Sequence, residues 1–365
     1  MTDPRTAHVA AAGDLLLGDS PISVGFGLHS RYPGRSLAGA LEAVKPLFAD
    51  RDIVLGNLES PLSRSGRGAS RWKRDQMRGD PEYAAVLREA GFTALSIANN
   101  HALQHGRSGF DDTVAALESQ GIAAVGRRGS DGWCSEPVVV TSRTGLRTGL
   151  LGYCWRPRQY LASEPPPYAE GSATEAAADV ARLKQRCDSV VVSLHWGEDF
   201  VDRPSAAETG AARSLVAAGA SLVAGHHPQV RRPVEIRGGA VIAYSLGNLV
   251  ADLVWLDAFR DGAVLDAVLG PAGVLSSQLT TVRLGDDFAV RPSGTAQPAT
   301  DVQGLEDSEY RQRAEAMLAI QRRRAYRYGL RHVADYPFAV LADLALSTIR
   351  NKVRRRLDPD GRGPR

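Results

Sequence analysis

Two adjacent histidines are the first residues in this sequence whose types suggest chemistry. His226 and His227 stand between Gly225 and Pro228, directly after the apolar run 220–224. Imidazole is the commonest metal ligand among side chains, and it titrates near neutral pH. An isolated pair of this kind more often belongs to an ordinary turn, because short motifs match by chance. The pair alone therefore leaves both interpretations open.

Four other apolar runs, each predicted as a β-strand, end in polar residues of similar kinds. They are Asp14 after residues 8–12, Asn57 and Glu59 after 53–55, Asn99, Asn100 and His101 after 94–98, and His195 after 190–194. In open α/β sheets, functional groups collect outside the carboxyl ends of the strands. Five polar clusters at five strand ends therefore predict one site at one edge of a sheet.

The donor types in these clusters indicate which ligand the site would hold. Carboxylate, amide and imidazole groups suit Mn, Fe or Zn better than a thiolate site would. Such an ion polarises a phosphoryl or carbonyl oxygen and lowers the pKa of bound water. A histidine beside it, such as His101, could protonate a leaving group. The sequence has no G-x-S-x-G, Walker or strand-anchored G-x-G-x-x-G motif that would favour another chemistry.

The elements that must position these residues alternate along the first third of the chain. Apolar runs and stretches of helical spacing succeed one another over residues 8–126, which predicts an α/β fold with much parallel pairing. The predicted helices are 37–48, 80–90 with Asp80 as N-cap, and 108–121 with Ser108 as N-cap.

The second half of the chain is predicted to mix parallel and antiparallel strands. Strands are expected at 138–141, 148–153, 189–194, 220–224, 233–236, 240–245, 264–268 and 277–284, and helices at 173–186 and 205–218. The turn at Gly238 and Gly239 predicts a hairpin between two of these strands.

The C-terminal part is predicted as a helical extension, residues 299–365, beside a main domain of residues 1–298. Charged helices are expected at 305–324 and 337–350, and a dense basic run fills 350–356. Such a run is usually a solvated tail, and an anionic partner is the alternative. The net charge of only +3 gives no global field that would favour nucleic acid.

The cysteine count and the apolar runs bear on the compartment. Cys134, Cys154 and Cys187 are odd in number and lack the spacing of a zinc motif, so free thiols in a reducing compartment are expected. The N-terminus does not read as a signal peptide. No run approaches the roughly 18 apolar residues that a spanning helix needs. We therefore expect a cytoplasmic protein without a membrane anchor.

Six motifs in order carry a resemblance to a known family. They read GDLLLGDS, LGNLESPLS, IANNHALQHG, VSLHWGEDF, GHHPQV and YSLGNLV. In order and spacing they resemble the CapA family of poly-γ-glutamate capsule biosynthesis proteins, which is similar to the calcineurin-like metallophosphoesterases. The resemblance covers about residues 8–270. It implies an α/β fold in which a mixed β sandwich is flanked by helices, with a metal centre at the strand ends.

The resemblance also implies roles for single residues. The metal ligands would be Asp14, Asn57, Glu59, Asn100, His195, His226 and His227. His101 would be the acid that faces the leaving oxygen, and Asn248 and Gln229 would lie near the substrate. The chain departs from the family pattern at Leu16 and Gln229, where histidine is usual, and at Gln104, where aspartate is usual. The first two departures imply one firmly held ion, or two with one labile, and in the extreme none.

The function that follows is a metal-dependent hydrolase or transferase of the CapA type. Its substrate would be a phosphoester or a γ-glutamyl-type amide, either as an anionic small molecule or as polyglutamate. The basic loop 63–74 is more often simply solvated in such sequences. The alternative is a lip that attracts this anion, with Arg71 and Lys73 as substrate-binding residues. The alternative is a non-catalytic subunit that binds a polyanion or supports a synthase.

Overall fold

The structure is a computed structural model, and it describes residues 4–68, 70–160 and 165–345. These residues include two mixed β sheets. The strands are β1 (Ala7–Leu15), β2 (Ile53–Leu58), β3 (Ala94–Ser96), β4 (Ala123–Val125), β5 (Val138–Thr141), β6 (Arg147–Cys154), β7 (Ser189–His195), β8 (Leu222–His226), β9 (Val234–Arg237), β10 (Ala240–Ala243), β11 (Asn248–Val250), β12 (Asp261–Gly270), β13 (Gly273–Leu284) and β14 (Val290–Ala296).

The first sheet has the order β14-β13-β12-β1-β2-β3-β4, and β11 also pairs with β1. Strands β1 to β4 run parallel, and β12 to β14 join them antiparallel. The second sheet has the order β5-β6-β7-β8-β10-β9, with a parallel centre and an antiparallel strand at each edge. The predicted parallel core and the predicted hairpin β9–β10 are confirmed, and β5 and β6 form a second antiparallel pair.

The two sheets pack face to face around an apolar core. Val9, Ile53 and Leu55 of the first sheet cluster there with Val191 and Leu222 of the second, all buried. Both faces of each central strand are covered, because helices pack on the outer faces of both sheets. Such strands are expected to be continuously apolar. The predicted mixed β sandwich flanked by helices is confirmed.

The helices lie mainly in the connections between strands. They are α1 (Leu28–Arg31), α2 (Ala38–Leu41), α3 (Lys45–Phe48), α4 (Arg71–Asp75), α5 (Tyr83–Ala90), α6 (Gly106–Ser119), α7 (Ala173–Lys184), α8 (Ala206–Ala217) and α9 (Asp307–Arg331), with 3₁₀ turns at Gly34–Leu37, Glu42–Val44, Asp257–Phe259 and Val333–Asp335. Ser172 and Ser205 start α7 and α8 with capping boxes to Glu175 and Glu208, the arrangement that satisfies two free N–H groups at a helix start.

The single helix predicted at 37–48 is wrong. That stretch is divided into short α and 3₁₀ segments, with the break at Glu42–Val44. Pro46 has no N–H to donate to the carbonyl four residues earlier, and its ring clashes with that carbonyl. The apolar spacing was right, because Leu37, Leu41 and Phe48 are buried.

Two predicted helix caps are also wrong. Asp80 does not cap α5, because its carboxylate accepts a hydrogen bond from Gly34 N at 3.1 Å and lies 3.1 Å from His29 Nε2. Ser108 lies inside α6, which begins at Gly106. Local sequence favours both residues as caps, but at Asp80 a more distant partner competes for the side chain.

The C-terminal extension packs on the main domain through the start of α9. Tyr310 is buried, and its hydroxyl accepts hydrogen bonds from Arg232 Nη2 at 2.9 Å and Glu198 N at 2.7 Å. Helix α9 ends at Arg331, later than predicted, and a further helical stretch covers 338–345. The rest of the predicted helix, 346–350, and the basic tail lie outside the described residues. The division at residue 298 remains a prediction.

Two further properties of the described residues bear on earlier expectations. All three cysteines are free thiols, as predicted. Within residues 4–68, 70–160 and 165–345, none of the helices combines the length and apolar character that crossing a bilayer requires.

Candidate metal centre

The predicted polar clusters meet at one edge of the sandwich. In the first sheet, Asp14 is in register with Asn57 on one neighbour and with Asn248 on the other. In the second sheet, His195 is in register with His226. Because these strands are parallel, their carboxyl ends coincide, and side chains far apart in sequence become neighbours.

Asp14 occupies one side of the centre. Its Oδ1 accepts a hydrogen bond from Asn57 Nδ2 at 2.8 Å, and its Oδ2 accepts one from His227 N at 3.0 Å. His226 Nδ1 lies 3.1 Å from Asp14 Oδ1, yet both ring nitrogens of His226 are buried without a hydrogen bond among the described residues. The geometry therefore brings carboxylate and imidazole within ion-pair distance without the alignment of a hydrogen bond.

Glu59, His195 and His227 form the other side. One donor atom of each lies within 4.8 Å of the other two, and all three side chains are buried. His195 Nε2 is 3.8 Å from Glu59 Oε1 and 2.7 Å from Asn100 Oδ1. Ligands of a bound first-row ion are roughly 3 to 3.5 Å apart, so small side-chain rotations would bring this set to coordination distance.

The hydrogen bonding of the histidines tests whether this donor set fits a metal. Both ring nitrogens of His227 are buried, and none of the described residues gives them a hydrogen bond; the nearest carboxylate, Asp199 Oδ1, is 3.6 Å from Nε2. Buried polar atoms are nearly always hydrogen-bonded. Unsatisfied imidazole nitrogens on both His226 and His227, beside two carboxylates, therefore fit a cation held between them.

Burial sets the charge states at the centre. The pKa of Glu59 is raised well above its ordinary value by desolvation, and further by the nearby carboxylates of Asp14 and Asp199. Desolvation lowers the pKa values of His195 and His227 well below the ordinary value. The next largest cause is the neighbouring His227 in the case of His195, and Arg156 in the case of His227. Neutral imidazoles are the form that binds metal.

The backbone that carries His227 is strained. His227 has φ +94° and Gln229 has φ +62°, values that residues other than glycine rarely adopt. Gly225 lies so close to the end of the neighbouring strand β10 that a Cβ on Gly225 would be 2.4 Å from Tyr244 O. Strain of this kind concentrates at functional sites.

His101 lies at the edge of the centre. Its Nδ1 is 2.7 Å from Gln104 Oε1, and its Nε2 is 3.8 Å from Glu59 Oε1. The Gln104 carbonyl can only accept, so Nδ1 carries a proton and Nε2 faces the centre. Burial lowers the pKa of His101, and a neutral glutamine offsets this less than a carboxylate would.

The departures from the family pattern have different structural consequences. Leu16 is buried in the apolar core between the first sheet and its helices. Gln229 lies at the centre, where Nε2 donates to both Glu59 oxygens at 3.3 and 3.2 Å. An amide thus binds the carboxylate that the resemblance assigns to the metal, and this hydrogen bond lowers the pKa of Glu59 against the larger, opposite effect of burial.

The predicted substrate-binding residues have other contacts in this structure. Arg71 Nε is paired with Asp75 Oδ2 at 3.2 Å on the short helix α4, and Lys73 N donates to Ser70 Oγ at 3.3 Å. Asn248 Nδ2 donates to Gln229 O at 3.3 Å and Phe259 O at 3.0 Å, so it holds two loops together. Their role with substrate stays a prediction.

Two residues near the centre were missed. Asp199 lies beside His227, and burial raises its pKa. Arg156 Nη1 lies 2.8 Å from Glu198 Oε1, and its Nη2 lies 3.9 Å from Asp199 Oδ2. Both had a signal: Asp199 falls within VSLHWGEDF, and Arg156 follows β6, whose end is in register with His195.

A β sandwich flanked by helices, with buried carboxylate, amide and imidazole donors at its strand ends, defines an α/β protein with a candidate divalent-metal centre. The chain belongs to the family of the bacterial capsule synthesis protein PGA_cap, because the model of that family matches residues 8–253. The resemblance found in the sequence motifs is thereby confirmed.

Curated relatives agree with this assignment. The chain is 30% identical over 241 residues to the PGA biosynthesis protein CapA of Bacillus subtilis, covering 66% of this chain and 63% of the relative. It is 30% identical over 220 residues to the capsule biosynthesis protein CapA of Bacillus anthracis, covering 58% and 53%. A probable polyglutamine synthesis accessory protein of Mycobacterium tuberculosis is 31% identical over 216 residues, covering 55% and 56%. The chain thus spans between 53% and 63% of the length of these relatives.

Solved structures give a weaker likeness. One is a putative 5'-nucleotidase from Staphylococcus aureus in complex with alpha-ketoglutarate. Its alignment covers 86% of this chain and 58% of the nucleotidase chain, at 12% identity and a TM-score of 0.41. A score of this size carries no argument about activity.

Proposed function

We propose that this protein is a metal-dependent hydrolase or transferase that cleaves an ester or amide bond of an anionic substrate. The observation that supports the proposal most strongly is the buried triad of Glu59, His195 and His227, whose donor atoms lie within 4.8 Å of one another. The ring nitrogens of His226 and His227 form no hydrogen bond among the described residues. This supports the proposal independently, because buried polar atoms are nearly always hydrogen-bonded.

The centre would hold one divalent ion firmly, with Mn, Fe or Zn as the fitting metals. When bound, such an ion supplies Lewis-acid polarisation and an activated water. Glu59, His195 and His227 would hold it, with Asn100 beside His195. Asp14 and His226, 3.1 Å apart, would hold a second, more labile ion.

His101 is proposed as the proton donor to the leaving group. Its Nε2 points toward Glu59 Oε1 at 3.8 Å, while Gln104 fixes the ring from the opposite side. Its side chain is 20% exposed, so a substrate can reach it. Donation requires the imidazolium, and because burial lowers the pKa of His101, that form is a stronger acid than an exposed histidine would be.

The substrate class includes phosphoesters and γ-glutamyl-type amides. The relatives are named for capsule, PGA or polyglutamine synthesis, which supports a glutamyl substrate, whereas the donor set supports either. Arg71 and Lys73 would attract an anion from the nearby surface. We place this activity in the cytoplasm, since three unpaired thiols suit a reducing compartment.

The test is a screen of phosphoesters and γ-glutamyl peptides with Mn, Fe or Zn added to protein purified without chelator. We expect turnover that requires the metal and is lost in His195→Ala. A matched control is His29→Ala, because His29 is partly buried against Asp80 outside the centre. Metal-independent turnover, or equal loss in both variants, would contradict the proposal.

A second function has an observation in its favour. Asn57 and Gln229 place neutral amides against Asp14 and Glu59, and one relative is named an accessory protein. Both features suit a non-catalytic subunit that binds a polyanion or supports a synthase. In that case, folded protein would contain almost no metal after purification without chelator, and added poly-γ-glutamate would bind without being cleaved.

A further inference from the structure

The outward side of α9 is an apolar stripe among arginines. Tyr326, Leu330 and Val333 are 67%, 55% and 51% exposed. At about 100° per residue along a helix, Tyr326 and Leu330 lie on one face, with Arg323 and Arg327 beside them on one side and Arg322 on the other. We call these residues, Arg322, Arg323, Tyr326, Arg327, Leu330 and Val333, the α9 face.

The opposite side of the helix fixes it to the protein. Ala325 is buried, and the Tyr328 ring lies 5.6 Å from that of Trp255. Beyond the helix end, Phe26 stacks on His332 at 5.2 Å and contacts Tyr336 edge-on at 4.9 Å. The α9 face is therefore held in one orientation by packing on its reverse side.

The charge of this region is strongly positive. Five arginines are exposed between residues 322 and 331: Arg322, Arg323, Arg324, Arg327 and Arg331. In the part of the chain that the structure describes, none of these guanidinium groups forms an ion pair with a carboxylate. Asp335, four residues beyond Arg331, is paired with His332 at 2.7 Å, and Asp286, which acts on Tyr328, is paired with Arg260 at 2.6 Å.

The charge and the exposure of the α9 face indicate what kind of partner could cover it. The chain's own C-terminal segment is excluded by charge, because residues 350–356 contain five further Arg and Lys. A second copy would bring the same positive face. A soluble polyanion would satisfy the arginines but leave the apolar stripe in water. An anionic bilayer satisfies both, since its phosphates attract arginines and its interface accepts apolar side chains.

We propose that the α9 face docks this protein peripherally on an anionic lipid bilayer. The helix lies in the plane of the surface, with Tyr326 and Leu330 at the headgroup boundary and the arginines on lipid phosphates. Phe338, 87% exposed shortly after the helix, adds a second apolar contact. The inference does not depend on the proposed activity.

The test is flotation of the full chain with vesicles of equal parts phosphatidylglycerol and phosphatidylcholine, compared with pure phosphatidylcholine. A charge variant carries Arg322→Gln, Arg323→Gln and Arg327→Gln, and an apolar variant carries Tyr326→Ser and Leu330→Ser. Because an arginine near an anionic surface is worth roughly fivefold in affinity, the charge variant should bind about a hundredfold more weakly. The apolar variant should lose roughly tenfold or more.

Matched controls remove the same groups elsewhere. Arg35→Gln, Arg107→Gln and Arg291→Gln delete three exposed arginines from the main domain, where their side chains are 65%, 68% and 54% exposed. Leu275→Ser removes an apolar side chain that is 61% exposed on β13. Both controls should bind vesicles like the unaltered chain, and circular dichroism should show all variants folded.

Three results would overturn the proposal. The first is an absence of binding to anionic vesicles at low salt by the unaltered chain. The second is equal weakening in the control variants or retention of binding in both α9 variants, which would assign binding to another surface such as the tail. The third is preferential binding of soluble poly-γ-glutamate with no effect of the apolar variant, which would make the face a polyanion site.

Discussion

Replacing Glu59 by glutamine should stabilise the metal-free protein and weaken its response to metal. Glu59 is fully buried, and its carboxylate faces Asp14 and Asp199, so burial and like charges raise its pKa well above 4.5. The only hydrogen bonds that the structure gives its carboxylate among the described residues come from Gln229. Glutamine has nearly the same shape and removes the charge.

The size of the effect follows from the cost of an under-compensated buried charge. Leaving such a group under-paired costs about 1–3 kcal/mol. An entropy of unfolding near 2.1 cal/mol/K per residue means that 1 kcal/mol corresponds to roughly 1.3 °C for a chain of this length. Metal-free Glu59→Gln should therefore melt about 1.3 to 4 °C higher than the unaltered protein at pH 8.

The pH dependence of stability independently tests the direction of this effect. Because the folded pKa of Glu59 is raised, the folded state binds this proton more tightly than the unfolded chain does. The stability that this proton contributes is fully present below the pKa of Glu59 in the unfolded chain, near 4.5. It is lost as pH rises through the pKa of Glu59 in the folded state. The advantage of Glu59→Gln should accordingly be small at pH 5 and largest at pH 8.

The metal response should move in the opposite direction. An ion at 100 times its dissociation constant stabilises the folded state by about 2.7 kcal/mol, or roughly 3.5 °C on the same scale. In Glu59→Gln much of this increase should disappear. The assay is thermal unfolding by circular dichroism with chelator and then with added Mn or Zn.

The matched control is Glu235→Gln. Glu235 is equally buried, but it accepts hydrogen bonds from Arg213 Nη2 at 3.0 Å and Tyr244 OH at 2.6 Å, away from the centre. Losing a paired charge should lower stability by about 1–3 kcal/mol and leave the metal response unchanged. A Glu59→Gln protein that melts lower without metal, or keeps the full metal response, would refute the reasoning.

Four further outcomes are expected. His195→Ala should lose most bound metal by elemental analysis while keeping its circular dichroism spectrum; an unchanged metal content would contradict its role as a ligand. His101→Ala should retain metal and lose about 10²- to 10⁴-fold in turnover on a substrate confirmed by the screen. Acidification below pH 6.5 should cost metal-free unaltered protein more stability than it costs a His227→Gln variant. The lowered pKa of His227 means that the unfolded chain binds this proton more tightly than the folded state does, and an equal change in both melting temperatures would contradict this. Ser205→Ala, which removes the cap of α8, should cost about 1 kcal/mol with metal binding unchanged.

Local sequence was enough to find the strands that build the site. The runs before Asp14, Asn57 and His195 are apolar because their strands are buried on both faces, and such runs are readable without knowledge of the fold. The polar residue that ends each run marks the sheet edge. The motif order then identified the family.

Local sequence failed where a residue's partner lies far along the chain. The Asp80 carboxylate binds Gly34, 46 residues away, instead of capping α5. Strand β11 has three residues, too few for a periodic pattern. It forms because the pairing of β12 with β1 ends at Ala12, which leaves Asp14 and Leu15 to pair with β11. Gln229 binds Glu59 across 170 residues, so its contact depends on the packing of the two sheets.

The sequence by itself determined the buried strands, the polar types that end them and the family to which they belong. Tertiary structure decided which of those polar groups pair with each other, which leave imidazole nitrogens unsatisfied, and that Asp199 and Arg156 join them. The physical reason is that strand formation depends on side chains within a few residues. Burial, pKa and coordination depend instead on groups that approach only when two sheets close over a common edge.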